Sequence, residues 1–514
     1  MTTSSQTGPL VSRDLAPRFN EIWTVGAILV MYIVADILFG PASYPFVNKI
    51  GSFLLMSVLI YGLWNMLKQG SEVIWLALFW FRLSTGTYFG FGVLAIDALD
   101  DDTLDYIRSF FFFNESDIFK INVIVSLSVF LILFSAKFFI NRMDRWARSD
   151  VDIKKSDKEL LFMGGLFATI GLSITYLLKT PIEFGWIDAQ IANSIMSLSR
   201  LTLAGIFLLT LYCLKRKNAR ALMFVALLVC FELIFQLLKF AKSGFLMTLI
   251  FFLLAFLWKE NLSKKRLLVS AAIVISAYGA VVPIVSYGRE EIVLRYGPTT
   301  PVGFSERFNV LQSYFTDEAD IHRGRQARQN ALLRITYVNA AAFVIHQYDI
   351  GAPGTWPNLI PATFIPRFFW PNKPVISDVG MDIYELGTGM RTSAMGAGIF
   401  ADTYWAFGWW GVIIFAPLVG FLLAVLTITC WRFLVTERWL YFPVILLGVQ
   451  FGFRSDGHYL VDVVGGAVII FGQLGILYMI DWYFLRPRAR KFIPPDRWAN
   501  DFHHGKAADE VGRL

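Results

Sequence analysis

The chain has 514 residues, of which 56% are hydrophobic and only 17% charged, with a mean hydropathy of +0.55. Soluble domains carry about a quarter charged residues, so an ordinary globular protein is excluded, and repeated apolar runs of about 20 residues indicate a polytopic membrane protein. The formal charge of +7 and pI near 9.1 do not indicate a nucleic-acid partner, because most cations cluster between apolar runs, as orientation signals do.

Arg13, Asp14 and Arg18 precede an apolar run from Ile22 to Phe39. The run is long enough to span and no small-residue cleavage site follows, so it is expected as a first membrane helix rather than a signal peptide. About twelve spans are predicted in all, at roughly 21–39, 50–67, 73–95, 119–140, 160–178, 200–214, 221–239, 244–258, 267–287, 408–430, 440–453 and 461–484. Lys239 and Lys242 interrupt the seventh and eighth.

Cations fill alternate loops: Arg142, Arg145, Arg148, Lys154, Lys155 and Lys158; then Lys215, Arg216, Lys217 and Arg220; then Lys259, Lys264, Lys265 and Arg266; and finally Arg486, Arg488, Arg490 and Lys491. The positive-inside rule makes that side the cytoplasm and puts both termini there. The acidic turn from Asp97 to Asp102 falls on the opposite side, as does a loop of about a hundred residues, 288–398. The expected organisation is a cytoplasmic tail (1–20), an N-terminal membrane bundle (21–287), one large periplasmic loop (288–398), C-terminal membrane helices (399–484) and a second cytoplasmic tail (485–514). No internal repeat or matching pair of broken helices of the transporter kind is evident.

The cysteines Cys213, Cys230 and Cys430 fall in or beside apolar runs without CxxC spacing, so neither a disulfide framework nor a zinc site is expected. Of the five histidines, His503 and His504 sit in the C-terminal tail. No nucleophile elbow, Walker loop, dinucleotide fingerprint or HExxH occurs. Neither a metal nor a cofactor is expected.

Four groups of residues have the chemistry for a site. His322, Arg323, Arg325, Arg328 and Arg334 form an acid-free cationic stretch, suited to phosphate capture or to a solvated face at the lipid headgroups. Arg82, Glu232, Lys239 and Lys242 lie in or at the ends of spans, where an unpartnered charge is costly. Glu232 and Lys239 are two helical turns apart and share a face, as a structural pair or as part of a site. Phe453-Arg454-Ser455-Asp456-Gly457-His458 with Asp462 makes a turn capable of proton transfer or of simple capping. Arg367 and Lys373 lie among prolines and aromatics that restrict the backbone, either lining a cavity or snorkelling from an interfacial belt.

The last of these segments carries a resemblance. Ile365-Pro366-Arg367-Phe368-Phe369-Trp370-Pro371-Asn372-Lys373-Pro374 resembles the "IPR-aromatic-x-WP-x-KP" signature of bacterial oligosaccharide repeat-unit polymerases, the Wzy-like O-antigen polymerase group. Gly398-Ile399-Phe400-Ala401-Asp402-Thr403-Tyr404-Trp405-Ala406-Phe407-Gly408-Trp409-Trp410-Gly411 is similar to the family's "G-x-x-x-E-x-Y-x-x-F-G-x-x-G", with Asp402 one methylene shorter than the usual Glu. Lys242-Ser243-Gly244 stands where relatives often show a Gly-Ser-Arg-like element, a poor match without the Arg.

The resemblance implies an all-α, glycosyltransferase C-like membrane bundle in the bacterial inner membrane. It implies a metal-independent polymerase that joins undecaprenyl-diphosphate-linked oligosaccharide units into O-antigen, exopolysaccharide or capsule at the outer face. Membrane lipid, a flippase and a chain-length regulator are the implied partners. An O-antigen ligase-type transferase and a lipid-linked oligosaccharide transporter are the alternatives. Without a metal, cations must stabilise the diphosphate leaving group, and the candidates are Arg367, Lys373, Arg289, Arg391 and Lys242. Attack by a sugar hydroxyl needs a base, for which Asp402 is the candidate, with Asp378 and Glu385 as substitutes.

Overall fold

In a computed structural model, the described residues are 15–96, 98–99, 101–148, 157–187, 195–196, 198–258, 263–297, 301–316, 336–365, 369–370, 372–391 and 394–485. The Arg323–Arg334 stretch, Arg367 and most of both tails lie outside them. The described residues are helical and contain no strand.

The principal helices are α1 (Phe19–Phe39), α2 (Tyr44–Leu67), α3 (Ala77–Thr85), α4 (Glu115–Arg148), α5 (Asp157–Ser173), α6 (Leu201–Lys215), α7 (Ala219–Leu238), α8 (Lys242–Phe256), α9 (Lys264–Tyr296), α10 (Phe304–Thr316), α11 (Val338–Asp349), α12 (Val379–Thr388), α13 (Ile399–Val435), α14 (Phe442–Phe453) and α15 (Gly466–Ile480). Eight helical stretches among the described residues are long and apolar enough to cross a membrane, the first being α1 and α2 together. The chain is therefore a helical membrane protein. The three remaining expected spans fall on shorter helices: α3 has 9 residues before a π turn, α8 has 15 and α14 has 12, against the roughly 20 that a bilayer core requires. The chain divides into two compact units, Met1–Val468 and Ile469–Leu514, and everything below concerns the first.

Apolar attraction cannot pull helices together inside lipid, so close backbone approach must do so. The most extensive packing, α13 on α4, shows how. A methyl group on Gly420 would lie 2.4 Å from the carbonyl oxygen of Ile132, so only glycine fits. Beside it the Ser135 hydroxyl donates to the Pro417 carbonyl at 2.7 Å. The pair α5–α6 repeats the device, with Gly205 against Ala168 and Gly171 against Thr202. Trp75 anchors the interior by packing on Phe207, Phe251, Trp258 and Phe442. The buried charge Arg82 is matched by Glu21: Nε and Nη2 donate to the two carboxylate oxygens at 2.6 and 2.8 Å.

The described parts of the expected long loop are built structure. α9 runs past the expected end at 287 to Tyr296, helped by an Arg295–Glu291 pair one turn apart. Residues Val338 to Ile345 of α11 are all buried, and α11 packs on α4 and α13. Lys120 pairs with Asp349 at 2.6 Å, and the Tyr404 hydroxyl donates to the same carboxylate at 3.0 Å. α13 begins at Ile399, ahead of the expected 408, and is broken at Gly408, whose φ of 60° and ψ of −145° are not helical. Two arms result, 399–407 and 409–435.

Candidate functional site

Five helix ends converge on a cavity of about 250 Å³. They are the wide π turn Ile174–Lys179 that continues α5, the start of α6, the end of α7, the start of α8 and the end of α14. The cations in its wall are Lys179, Arg200, Lys239 and Arg454; Glu232 is the acid, with Gln236 and Gln450 adding amides. Wide π turns occur often at functional sites because they re-aim side chains within a helix.

Local structure explains how each group is presented. Lys239 sits on the turn between α7 and α8, where Phe240 adopts φ 50°, a left-handed conformation costly for an aromatic residue. Burial holds Phe240 there, against Val281, Val285, Tyr287 and Val310. Arg289 Nε donates to the Phe240 carbonyl at 2.9 Å, clamping the turn from behind. Lys239 Nζ donates to the Thr180 hydroxyl at 2.6 Å and pairs with Glu183 at 3.1 Å. Arg200 Nη1 donates to Gln450 Oε1 at 3.2 Å. Glu232 and Lys239 thus share the cavity face, but Glu232 is bonded to Tyr176 and Gln236 rather than directly to Lys239.

Behind Arg454 lies a buried network. Arg454 approaches Asp462 at 3.9 Å, and Asp462 Oδ2 accepts from the His458 backbone N–H at 2.9 Å, capping the π segment Tyr459–Gly465. Gly457 lies so close to Asp462 that a methyl group there would be 1.9 Å from Oδ2. The His458 ring faces Asp402: Nδ1 and Oδ1 are 3.8 Å apart, an ion-pair distance too long for a hydrogen bond. The other oxygen, Oδ2, accepts from the Tyr459 backbone N–H at 2.8 Å. Burial disfavours the charged ring, but the Asp402 carboxylate, Asp462 and the Met395 backbone together outweigh it and hold the His458 pKa above its ordinary value. Burial likewise raises the Asp456 carboxyl, with Arg454 and the Tyr337 hydroxyl opposing.

The sequence candidates are distributed as follows. Asp402 is fully enclosed at 0% exposure and outside the cavity wall. It lies in the first turn of α13 rather than at its N-cap, which is Gly398. Lys373 Nζ donates to the carbonyls of Ala362 and Ile365 at 2.8 and 2.9 Å, closing its own proline-rich loop. Arg391 is held by Asp382 and Glu385, both at 2.8 Å, with Asp378 at 3.8 Å. Lys242 opens α8 between wall residues Ala241 and Ser243 without being in the wall itself. Arg367 lies outside the described residues. Sequence reasoning did not single out Lys179 and Arg200. Their signal was positional: each ends or begins an apolar run on the same side of the bundle as Lys239 and Arg454.

One family matches part of the chain: residues 360–434 fit a domain of unknown function, DUF8712. That stretch holds the proline-aromatic segment and α13, and none of the four wall cations. No curated protein and no solved structure matches the chain.

Proposed function

We propose that this membrane protein is a metal-independent glycosyltransferase that polymerises undecaprenyl-diphosphate-linked oligosaccharides at the outer face of a bacterial inner membrane. The observation that carries this is the cavity: among the described wall residues, four cations and a single acid gathered where apolar helices end. A polyprenyl diphosphate needs this combination, cations for its headgroup and lipid-facing helices for its tail. Arg and Lys donors in a confined site stabilise the charge that develops on a diphosphate leaving group. In this reading the chain crosses about twelve times, with the shorter helices α3, α8 and α14 completing the bundle. Both termini are then cytoplasmic, and the cavity and the loop 297–398 face outward. A chain-length regulator and a flippase are the partners in such a pathway.

Deleting the gene and sizing the surface polysaccharide tests the reading: short or single-unit chains are expected, and chains of full length overturn it. Loss of transfer with polymer accumulating on the lipid carrier identifies a ligase-type enzyme instead. The π turns at Ile174–Lys179 and Tyr459–Gly465 favour one further reading, a lipid-linked oligosaccharide transporter, because interrupted helices line many transport sites. Single units trapped on the cytoplasmic face after deletion identify that case.

A further inference from the structure

Glycosyl transfer to a sugar hydroxyl needs an acceptor for the hydroxyl proton. We infer that Glu232 is that acceptor, an inference that rests on the polymerase reading and assigns one residue within it. Asp402, the candidate from sequence, is sealed from the cavity, with one oxygen committed to Tyr459 and the other facing His458. Glu232 is the acid among the described wall residues. Its Oε1 accepts from Gln236 Nε2 at 2.6 Å and its Oε2 from the Tyr176 hydroxyl at 2.5 Å. Both donors are neutral, and each carboxylate oxygen keeps a further lone pair. The carboxylate is therefore fixed in direction while retaining the capacity to accept a proton. Gln236 is itself confined, because it rests on Gly244, where a methyl group would lie 2.1 Å from its Oε1.

The step balances without a co-reactant. The acceptor sugar oxygen forms a bond to the anomeric carbon of the donor glycan, and the bond from that carbon to the diphosphate oxygen breaks. Its electron pair leaves on the polyprenyl diphosphate, which Lys179, Arg200, Lys239 and Arg454 stabilise. The hydroxyl proton passes to Glu232. A subsequent exchange with water restores the carboxylate.

The test uses the full chain. Wild type and Glu232→Gln are expressed in a deletion strain and polymer is sized, while the purified proteins in nanodiscs are titrated with undecaprenyl diphosphate by native mass spectrometry. Glu232→Gln keeps the side-chain shape and the Tyr176 and Gln236 contacts, since the tyrosine hydroxyl can reverse. The expected result is unchanged binding of undecaprenyl diphosphate with polymer formation reduced about 10²- to 10⁴-fold, the usual range for a general base. Wild-type polymer in Glu232→Gln overturns the assignment, as does loss of binding together with polymer, which makes Glu232 a structural part of the cavity. Should Glu232→Gln fail to accumulate in membranes, Glu232→Asp is read by the same two measurements, with reduced polymer and retained binding supporting the role and normal polymer overturning it. Full-length polymer in the deletion strain itself, with no binding by wild type, is the separate signature that the polymerase reading has failed and the assignment with it.

Discussion

Replacing Asp402 tests the enclosed network behind the cavity in two steps. In Asp402→Ala the Tyr459 N–H loses its acceptor and is left buried, at a cost of about 1–3 kcal/mol. His458 simultaneously loses the carboxylate 3.8 Å from its ring. Together these place the loss at about 3–5 kcal/mol, as for removal of one member of a buried pair. Asp402→Asn keeps an oxygen for Tyr459 and removes only the charge, so a smaller loss of about 1 kcal/mol is expected from the weakened hydrogen bond. The two variants also differ from wild type in pH dependence. The folded pKa of His458 is raised, so its contribution is complete below the unfolded value of about 6.5 and disappears as pH rises through the folded value. The groups facing the ring are Asp402 from α13, Asp462 from the π segment and the Met395 backbone from the preceding loop. Wild type should therefore exceed Asp402→Asn by more at pH 6 than at pH 8.5. Thermal unfolding in detergent, followed by tryptophan fluorescence at both pH values, measures this. A loss below about 1 kcal/mol in Asp402→Ala, or a pH dependence in Asp402→Asn equal to that of wild type, refutes the network as described.

Three further outcomes are expected. Gly420→Leu forces α13 away from the Ile132 carbonyl and should cost at least about 1–3 kcal/mol, visible as a lower unfolding temperature in the same assay. Arg82→Leu leaves Glu21 buried and uncompensated, at about 3–5 kcal/mol, whereas joint replacement of both residues by apolar ones should recover much of that loss. On the proposed polymerase reading, and with Arg367 a diphosphate ligand as the resemblance implies, Arg367→Ala should abolish polymer while the protein still accumulates in the membrane; polymer of wild-type length overturns that role.

Periodicity and apolar run length made the helices legible, because the bilayer demands long apolar segments whatever the tertiary context. The limits were less legible where charge and helix coexist, as in α9, whose last turns carry Arg289, Glu290, Glu291 and Arg295 and remain helical through local pairing. The site was harder still. A cation in a sequence carries no record of its partner: Arg391 and Lys373 have the chemistry of phosphate ligands, yet three carboxylates hold one and two backbone carbonyls the other. Glu232 and Lys239 were recognisable as unusual because charge at membrane depth is costly. Their real partners, Tyr176 and Glu183, lie on the π turn and short helix that follow α5, whose approach to the end of α7 no local pattern records.

The break at Gly408 makes α13 a jointed lever instead of a stiff rod. Its short arm is fastened to the loop, through the Trp356 indole on the Asp402 carbonyl and the Trp405 indole on the Ala352 carbonyl. Its long arm is riveted to α4 through Gly420 and Pro417. The non-helical residue therefore falls between two separate sets of fastenings, so each arm of α13 takes its direction from a different neighbour: the short arm from the loop and the long arm from α4.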